Sequence, residues 1–332
     1  MNTTASTSDS TGKRGGYSLA VGEFIRQPLV GPLAALLLAV LIFSIATDSF
    51  FSPFNLSLIL QQSVVIGILA IGQTLIILTG GIDLSIGAIG VLGTVVMAKI
   101  GTIHGPLTGL LATVIVCTAF GALNGALVTR LNLPPFIVTL GTFTSIYALT
   151  QLYAGSQRYA AEGVQTFLGS RFSLGGFPVT YGVVAMILVY LTVWYVLSQT
   201  AAGRHIYAVG GNPLAARLVG IKSGRTLFCV YAAAGLIAAI AAWAALGRIP
   251  TADPNAYFNA NLETITAVVI GGTSLFGGRG SVLGTLIGTL IVSVLRSGLT
   301  AAGVDALYQN VATGILVITA VALDQFARRK NT

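Results

Sequence analysis

The chain has 332 residues, 55% of them hydrophobic and 8% charged, with a formal net charge of +8. A soluble globular domain carries about 25% charged residues, so a water-facing surface over most of this chain is excluded. The positive charge does not point to nucleic acid, because most basic residues flank long apolar runs and so carry a topology signal instead.

In chain order, residues 1–28 begin with a Ser- and Thr-rich stretch, Met1–Gly16, that has no apolar periodicity. A disordered cytoplasmic tail is expected there. The first apolar run, Leu29–Ala46, is followed by Asp48, Phe50, Phe51 and Pro53, not by the small-residue site of a cleaved signal peptide. Ten spans are predicted, at 29–47, 57–79, 82–100, 107–129, 134–153, 179–197, 227–247, 262–276, 281–297 and 305–323. About 20 apolar residues of helix cross a bilayer, and a helix satisfies its own backbone where lipid cannot. The runs are apolar throughout and do not alternate, which speaks against a β-barrel. The predicted fold is an all-α polytopic membrane protein of ten transmembrane helices in two five-helix halves. Its transmembrane domain covers 29–325, with a cytoplasmic loop at 198–226 and a basic cytoplasmic tail at 326–332.

With the N-terminus inside, twelve of the seventeen Lys and Arg residues fall on the cytoplasmic side. The other five, Lys99, Arg158, Arg171, Arg248 and Arg296, fall outside. The positive-inside rule then places both termini in the cytoplasm. The runs after Asp83 and between Glu263 and Arg279 look short, about 22 Å of helix each at 1.5 Å per residue. Both are interrupted by glycines, among them Gly80-Gly81 and Gly271-Gly272. Short, Gly-broken segments at corresponding places in two halves point to a transport pathway. Gly121-Ala-Leu-Asn-Gly125 and Gly284-Thr-Leu-Ile-Gly288 let helices approach closely, within the chain or between subunits.

Asp83 is the one carboxylate read as lying near a span interior. An ionisable group at that depth is a functional candidate by default. The alternative is an N-cap at the cytoplasmic interface, with Ser85 beside it. Gln73, Asn124, Thr139 and Thr142 also fall in apolar runs. With Asp83 and Ser85 they are candidates for a polar path, or for ordinary hydrogen bonds between helices.

The 198–226 loop holds the clearest local signal. Asn212 is a favourable N-cap, and Pro213 sits at the first helical position, where its missing N–H costs nothing. Leu214, Ala216, Arg217 and Leu218 continue a helix that Gly220 stops. A helix of about two turns is marginal alone, so it must pack on something. It is either an interfacial linker or a docking helix for a cytoplasmic partner.

Other chemistries are missing from the sequence. The only Gly-Lys pair, Gly12-Lys13, is followed by Arg14 and cannot start a phosphate-binding loop. The two histidines, His104 and His205, fall in loops on opposite sides, so neither a His-based triad nor a His metal site can be built. Cys117 and Cys229 both lie in apolar runs and form no ligand pattern.

Several segments together resemble the membrane permease subunit of bacterial ABC importers for monosaccharides, of the ribose, xylose, arabinose and galactose type. They are Gly-Gly-Ile-Asp-Leu-Ser-Ile-Gly (80–87), Leu-Asn-Gly-Ala-Leu-Val (123–128), Pro-Pro-Phe-Ile-Val-Thr-Leu-Gly-Thr (134–142), the Gly203–Ile221 loop, and Val-Ile-Gly-Gly-Thr-Ser-Leu-Phe-Gly-Gly-Arg-Gly-Ser (269–281). The resemblance covers most of the chain from residue 57 onward. It implies import of a monosaccharide across the bacterial inner membrane by alternating access, with a branched-chain amino acid or a furanosyl signal molecule as the alternative solute. It also implies a second permease subunit, as in a homodimer, a periplasmic sugar-binding protein and a cytoplasmic ABC ATPase. ATP and magnesium would belong to the ATPase, leaving this chain without catalytic residues, cofactor or metal. Asn212–Gly220 would be the helix that couples to it.

Overall fold

The computed structural model describes residues 29–47, 50–155 and 157–329. The expected N-terminal tail and residues 330–332 lie outside them. The chain folds as a helical bundle with a few very short strands. Helix α1 is Val30–Ala46, α2 is Pro53–Leu78, α3 is Ile86–His104, α4 is Pro106–Arg130 and α5 is Pro135–Ala154. After a small irregular segment, α6 is Tyr181–Gln199, α7 is Ala201–Gly211, α8 is Pro213–Leu218 and α9 is Ser223–Arg248. Helices α10, Ala260–Ile270, α11, Val282–Ala301, and α12, Ala306–Arg329, complete the chain.

Seven of these, α2, α3, α4, α5, α6, α9 and α11, are long and apolar enough to cross a membrane. Apolar stretches in α1, α10 and α12 are shorter. Local sequence explains several starts. Ser52 caps α2 by accepting from the Asn55 N–H at 3.2 Å, with Pro53 in the first turn. Ser281 caps α11 in the same way through Gly284, at 2.9 Å.

The core lies between α2, α3, α4 and α9. Ile68, Ile71, Ile76, Ile89 and Tyr231 are among its fully buried side chains. Helix α9 crosses α4 where Gly121 and Gly125 meet Tyr231, Gly235 and Phe228, so that any Cβ at Gly121 would collide with the α9 backbone. Helix α11 meets α10 likewise, Gly284 against Gly271 and Gly288 against Ala267. Both small-residue patterns therefore serve packing inside the chain, as close helix crossings require.

The bundle has two distinct ends. One carries residues 157–180, where β1, Tyr159–Ala160, pairs antiparallel with β4, Thr251–Ala252. There β2, Arg171–Leu174, pairs with β3, Phe177–Thr180. Gln165, in the 3-10 helix Gly163–Gly169, donates to Met97 O at 2.7 Å and to Pro106 O at 3.2 Å. Trp243 Nε1 donates to Val164 O at 2.8 Å, which locks the segment onto α9. The other end carries α7 and α8.

One expectation needs correction. Helix α3 is not short: it has 19 residues and passes straight through Lys99 to His104. The Lys99 amine reaches Tyr153 O at 2.6 Å and lies over the Tyr153 and Tyr159 rings. A long basic side chain can leave an apolar helix in this way without ending it, so bounding a span by its charges underestimated α3. Helix α10, with 11 residues, is the short one.

Candidate functional site

Two features at the α8 end stand out: an exposed short helix, and a buried knot of polar groups behind it.

Helix α8 is built as its capping signals predict. The Asn212 side chain accepts from Leu214 N at 3.1 Å and Ala215 N at 3.0 Å, with Pro213 in the first turn. At the other end Gly220 adopts φ +85°, a conformation that favours glycine. Ile221 N then closes back on Ala216 O at 3.0 Å. Ala216 is the single buried residue of the helix. Leu214 is 73% exposed and Leu218 88%, and Arg217 is exposed beside them. Leu214 and Leu218 therefore form an exposed apolar side on a short, firmly capped helix.

The helix before it was missed in the sequence. Residues 201–211 form α7, started by Thr200 Oγ1 accepting from Gly203 N at 3.4 Å. The signal available was Thr200 followed by two alanines; the glycines in the segment obscured it, since glycine disfavours a helix interior. Helix α7 joins α8 to the membrane helices. Gly210 packs directly on the Leu78 carbonyl and near Gly278 N, with no room for a Cβ. Gly278 N donates to Leu78 O at 2.9 Å, and Tyr207 Oη donates to Gly280 O at 3.0 Å. Three pieces of chain therefore meet at one point: the end of α2, the α10–α11 break, and α7.

The polar knot lies just beyond Leu78, in the break between α2 and α3. Asp83 is 1% exposed. Its Oδ1 accepts from Ser85 N at 2.6 Å and Ser85 Oγ at 2.7 Å. Asn124 Nδ2 on α4 donates to Ser85 Oγ at 2.8 Å. The Gln73 amide on α2 donates to the Asp83 carbonyl at 3.0 Å and accepts from the Asp83 N–H at 3.2 Å. Thr139 Oγ1 on α5 donates to Ile82 O at 3.0 Å. Five of the six polar candidates thus converge on a single break. Thr142 stands apart, half-buried, with its hydroxyl donating to Thr139 O at 3.3 Å.

These contacts have a clear physical task. A break in a helix leaves main-chain N–H and C=O groups without helical partners, and burying them unpaired is costly. Gln73, Asp83 and Thr139 supply those partners from three directions. The N-cap position of α3 is Ser85, not Asp83; the Asp83 carboxylate instead accepts from the Ser85 N–H and hydroxyl just ahead of the helix. Two polar atoms in the region have no hydrogen-bond partner, Asn124 Oδ1 and the Tyr231 phenol oxygen. The phenol lies 3.0 Å from where a Cβ on Gly81 would stand.

Sequence reasoning also missed a second buried carboxylate. Glu263 in α10 is 7% exposed and is paired with Arg296 of α11. The two residues are 33 positions apart, so no local spacing announces the pair. The two histidines fall in helices and not in the expected loops, His104 at the end of α3 and His205 within α7, although at opposite ends of the bundle.

Comparison with known proteins agrees with this architecture. The family model described as "Branched-chain amino acid transport system / permease component" matches residues 55–321. The chain is 45% identical over 312 residues to the fructose import permease protein of Rhizobium meliloti, covering 91% of this chain and 87% of that protein. It is 40% identical over 302 residues to the ribose import permease protein of Bacillus subtilis, covering 89% and 92% of the two. To the galactose/methyl galactoside import permease protein of Escherichia coli it is 36% identical over 327 residues, covering 92% and 97%. No solved structure matches. A multi-pass helical bundle matching that family model over residues 55–321 and aligning with import permeases along almost their full length, the chain belongs to this family of membrane permease components.

Proposed function

We propose that this chain is the permease subunit of an ATP-driven importer that carries a monosaccharide across the bacterial inner membrane. A periplasmic sugar-binding protein delivers the solute, and a cytoplasmic ABC ATPase supplies the work. A second permease subunit, another copy of this chain, completes the pathway. The chain crosses the membrane ten times in two five-helix halves, with α1, α10 and α12 as the shorter crossings. Both termini and α8 lie in the cytoplasm.

The observation that carries this reading is α8, which holds two exposed leucines on a rigidly capped helix. Behind it, α7 abuts the end of α2 and the α10–α11 break. Movement of α8 by an ATPase would reach both segments through main-chain contact. Gln73, Asp83, Ser85, Asn124, Thr139 and Thr142 belong to the moving boundary of the pathway more than to its sugar-binding surface. Most of their polar atoms are already committed to the break itself.

The sugar class is supported by the relatives, whose names give fructose, ribose and galactose as cargo. The family description names branched-chain amino acids instead, so both solute classes belong in one assay. In vesicles holding this chain with its ATPase and binding protein, uptake of radiolabelled fructose, ribose or galactose should require ATP. Leu214→Asp should abolish it and release the ATPase on purification, leaving the variant in the membrane. Leucine uptake in place of sugar uptake would overturn the substrate. Uptake by this chain alone on an ion gradient would overturn the mechanism.

A further inference from the structure

A groove of about 860 Å³ opens between α6 and α9 and reaches the α8 end. Its walls are apolar, formed by residues such as Val189, Ala233 and Ile240. At the α8 end it is rimmed by His205, Lys222 and Arg225. Lys222 and Arg225 are exposed, and among the described residues neither belongs to an ion pair. No Asp or Glu lines any part of the groove.

The dimensions suit one kind of occupant. Along α9 the lining runs from Arg225 to Ile240, roughly 22 Å at 1.5 Å per residue. One leaflet with its headgroup layer is also about 20–22 Å deep, half of a 40–45 Å bilayer. Basic pockets between membrane helices on the cytoplasmic side favour anionic headgroups. We propose that the groove is a binding site for one anionic phospholipid. Its acyl chains lie along α6 and α9, and its phosphate rests on Lys222 and Arg225. The site abuts α8, because Gly220 and Ile221 contribute to its lining. An occupied groove therefore braces the root of the coupling helix. The inference rests on reading the α8 end as cytoplasmic, and its test makes no use of transport.

Cys229 provides a reporter. It is exposed and lines the groove, whereas Cys117, the other cysteine, is buried. The full chain is placed in nanodiscs of phosphatidylglycerol or of phosphatidylcholine with the same acyl chains, and alkylation of Cys229 by N-ethylmaleimide is timed. Native mass spectrometry counts retained lipid. Phosphatidylglycerol should slow the alkylation and remain bound at one per chain. Two basic contacts correspond to a preference of roughly thirtyfold over phosphatidylcholine. Lys222→Gln with Arg225→Gln should erase both effects; because these side chains are exposed, a size-exclusion profile shows that the variant remains folded. Equal rates in the two lipids, or protection that survives the double substitution, would overturn the proposal. So would protection that follows protein concentration instead of lipid, because a second copy would then be covering the groove.

Discussion

The Gly278 N–H donates to the Leu78 carbonyl at 2.9 Å. The two residues are far apart in sequence and both lie at helix breaks. Gly210 presses on the same carbonyl from α7. A point shared by three segments, and built from main chain, has no side chain that can yield. Gly210→Val should therefore force the segments apart, an overpacking cost of about 1–3 kcal/mol. The expected outcome is a folded but less stable protein whose ATP-driven uptake falls well below that of the parent. Thermal unfolding in detergent and vesicle uptake measure the two effects separately.

The caps of α8 give a graded test. Asn212→Ala removes two hydrogen bonds to Leu214 and Ala215, a loss of about 1 kcal/mol for a typical N-cap. Asn212→Asp keeps the acceptor. Uptake and ATPase co-purification should weaken in the first variant and persist in the second. If Asn212→Ala behaves like the parent in both assays, the capped conformation of α8 is not what the partner reads.

At the α2–α3 break, Asp83→Asn keeps an oxygen able to accept from Ser85, whereas Asp83→Leu leaves the Ser85 N–H without its partner. Leaving a buried polar group unsatisfied costs about 1–3 kcal/mol. Asp83→Leu should lower the thermal midpoint clearly and Asp83→Asn much less. A transport defect in Asp83→Asn without any stability loss would show that the charge itself is used.

The Glu263–Arg296 pair predicts an asymmetry. Glu263 is buried, whereas the Arg296 side chain is 53% exposed. Arg296→Leu strands a carboxylate between α10 and α11, and the protein should lose about 1–3 kcal/mol. The double variant Arg296→Leu with Glu263→Leu should recover much of that loss, because it also removes the carboxylate that Arg296→Leu leaves without its partner. A double-mutant cycle on thermal stability checks this.

Much of the fold is legible in the amino-acid sequence alone. Seven of the ten apolar runs correspond to helices long and apolar enough to cross a membrane, and α8 follows from the order Asn212, Pro213 and Gly220, because caps are local chemistry. Other features were not legible, each for a specific reason. The charge-free run after Asp83 stops at Lys99 and so reads as short, yet α3 continues through it while the amine finds Tyr153 at 2.6 Å. Helix α7 was obscured by glycines needed for contact with Leu78. Glu263 passed for a residue at a span edge because its partner lies 33 positions away.

Composition and short-range signals suffice to establish a polytopic helical membrane protein with one capped helix outside the apolar runs. Both follow from transfer of side chains out of water and from the geometry of helix ends, which neighbouring residues set. Packing was needed to learn that Gln73, Asp83, Ser85, Asn124 and Thr139 serve one break, and that α7 carries α8 onto that same break and onto the one between α10 and α11. Those relationships join residues from α2, α4, α5, α7 and the α10–α11 break. They depend on which helices touch, and hydrophobic periodicity says only that a helix is apolar, not which neighbour it meets.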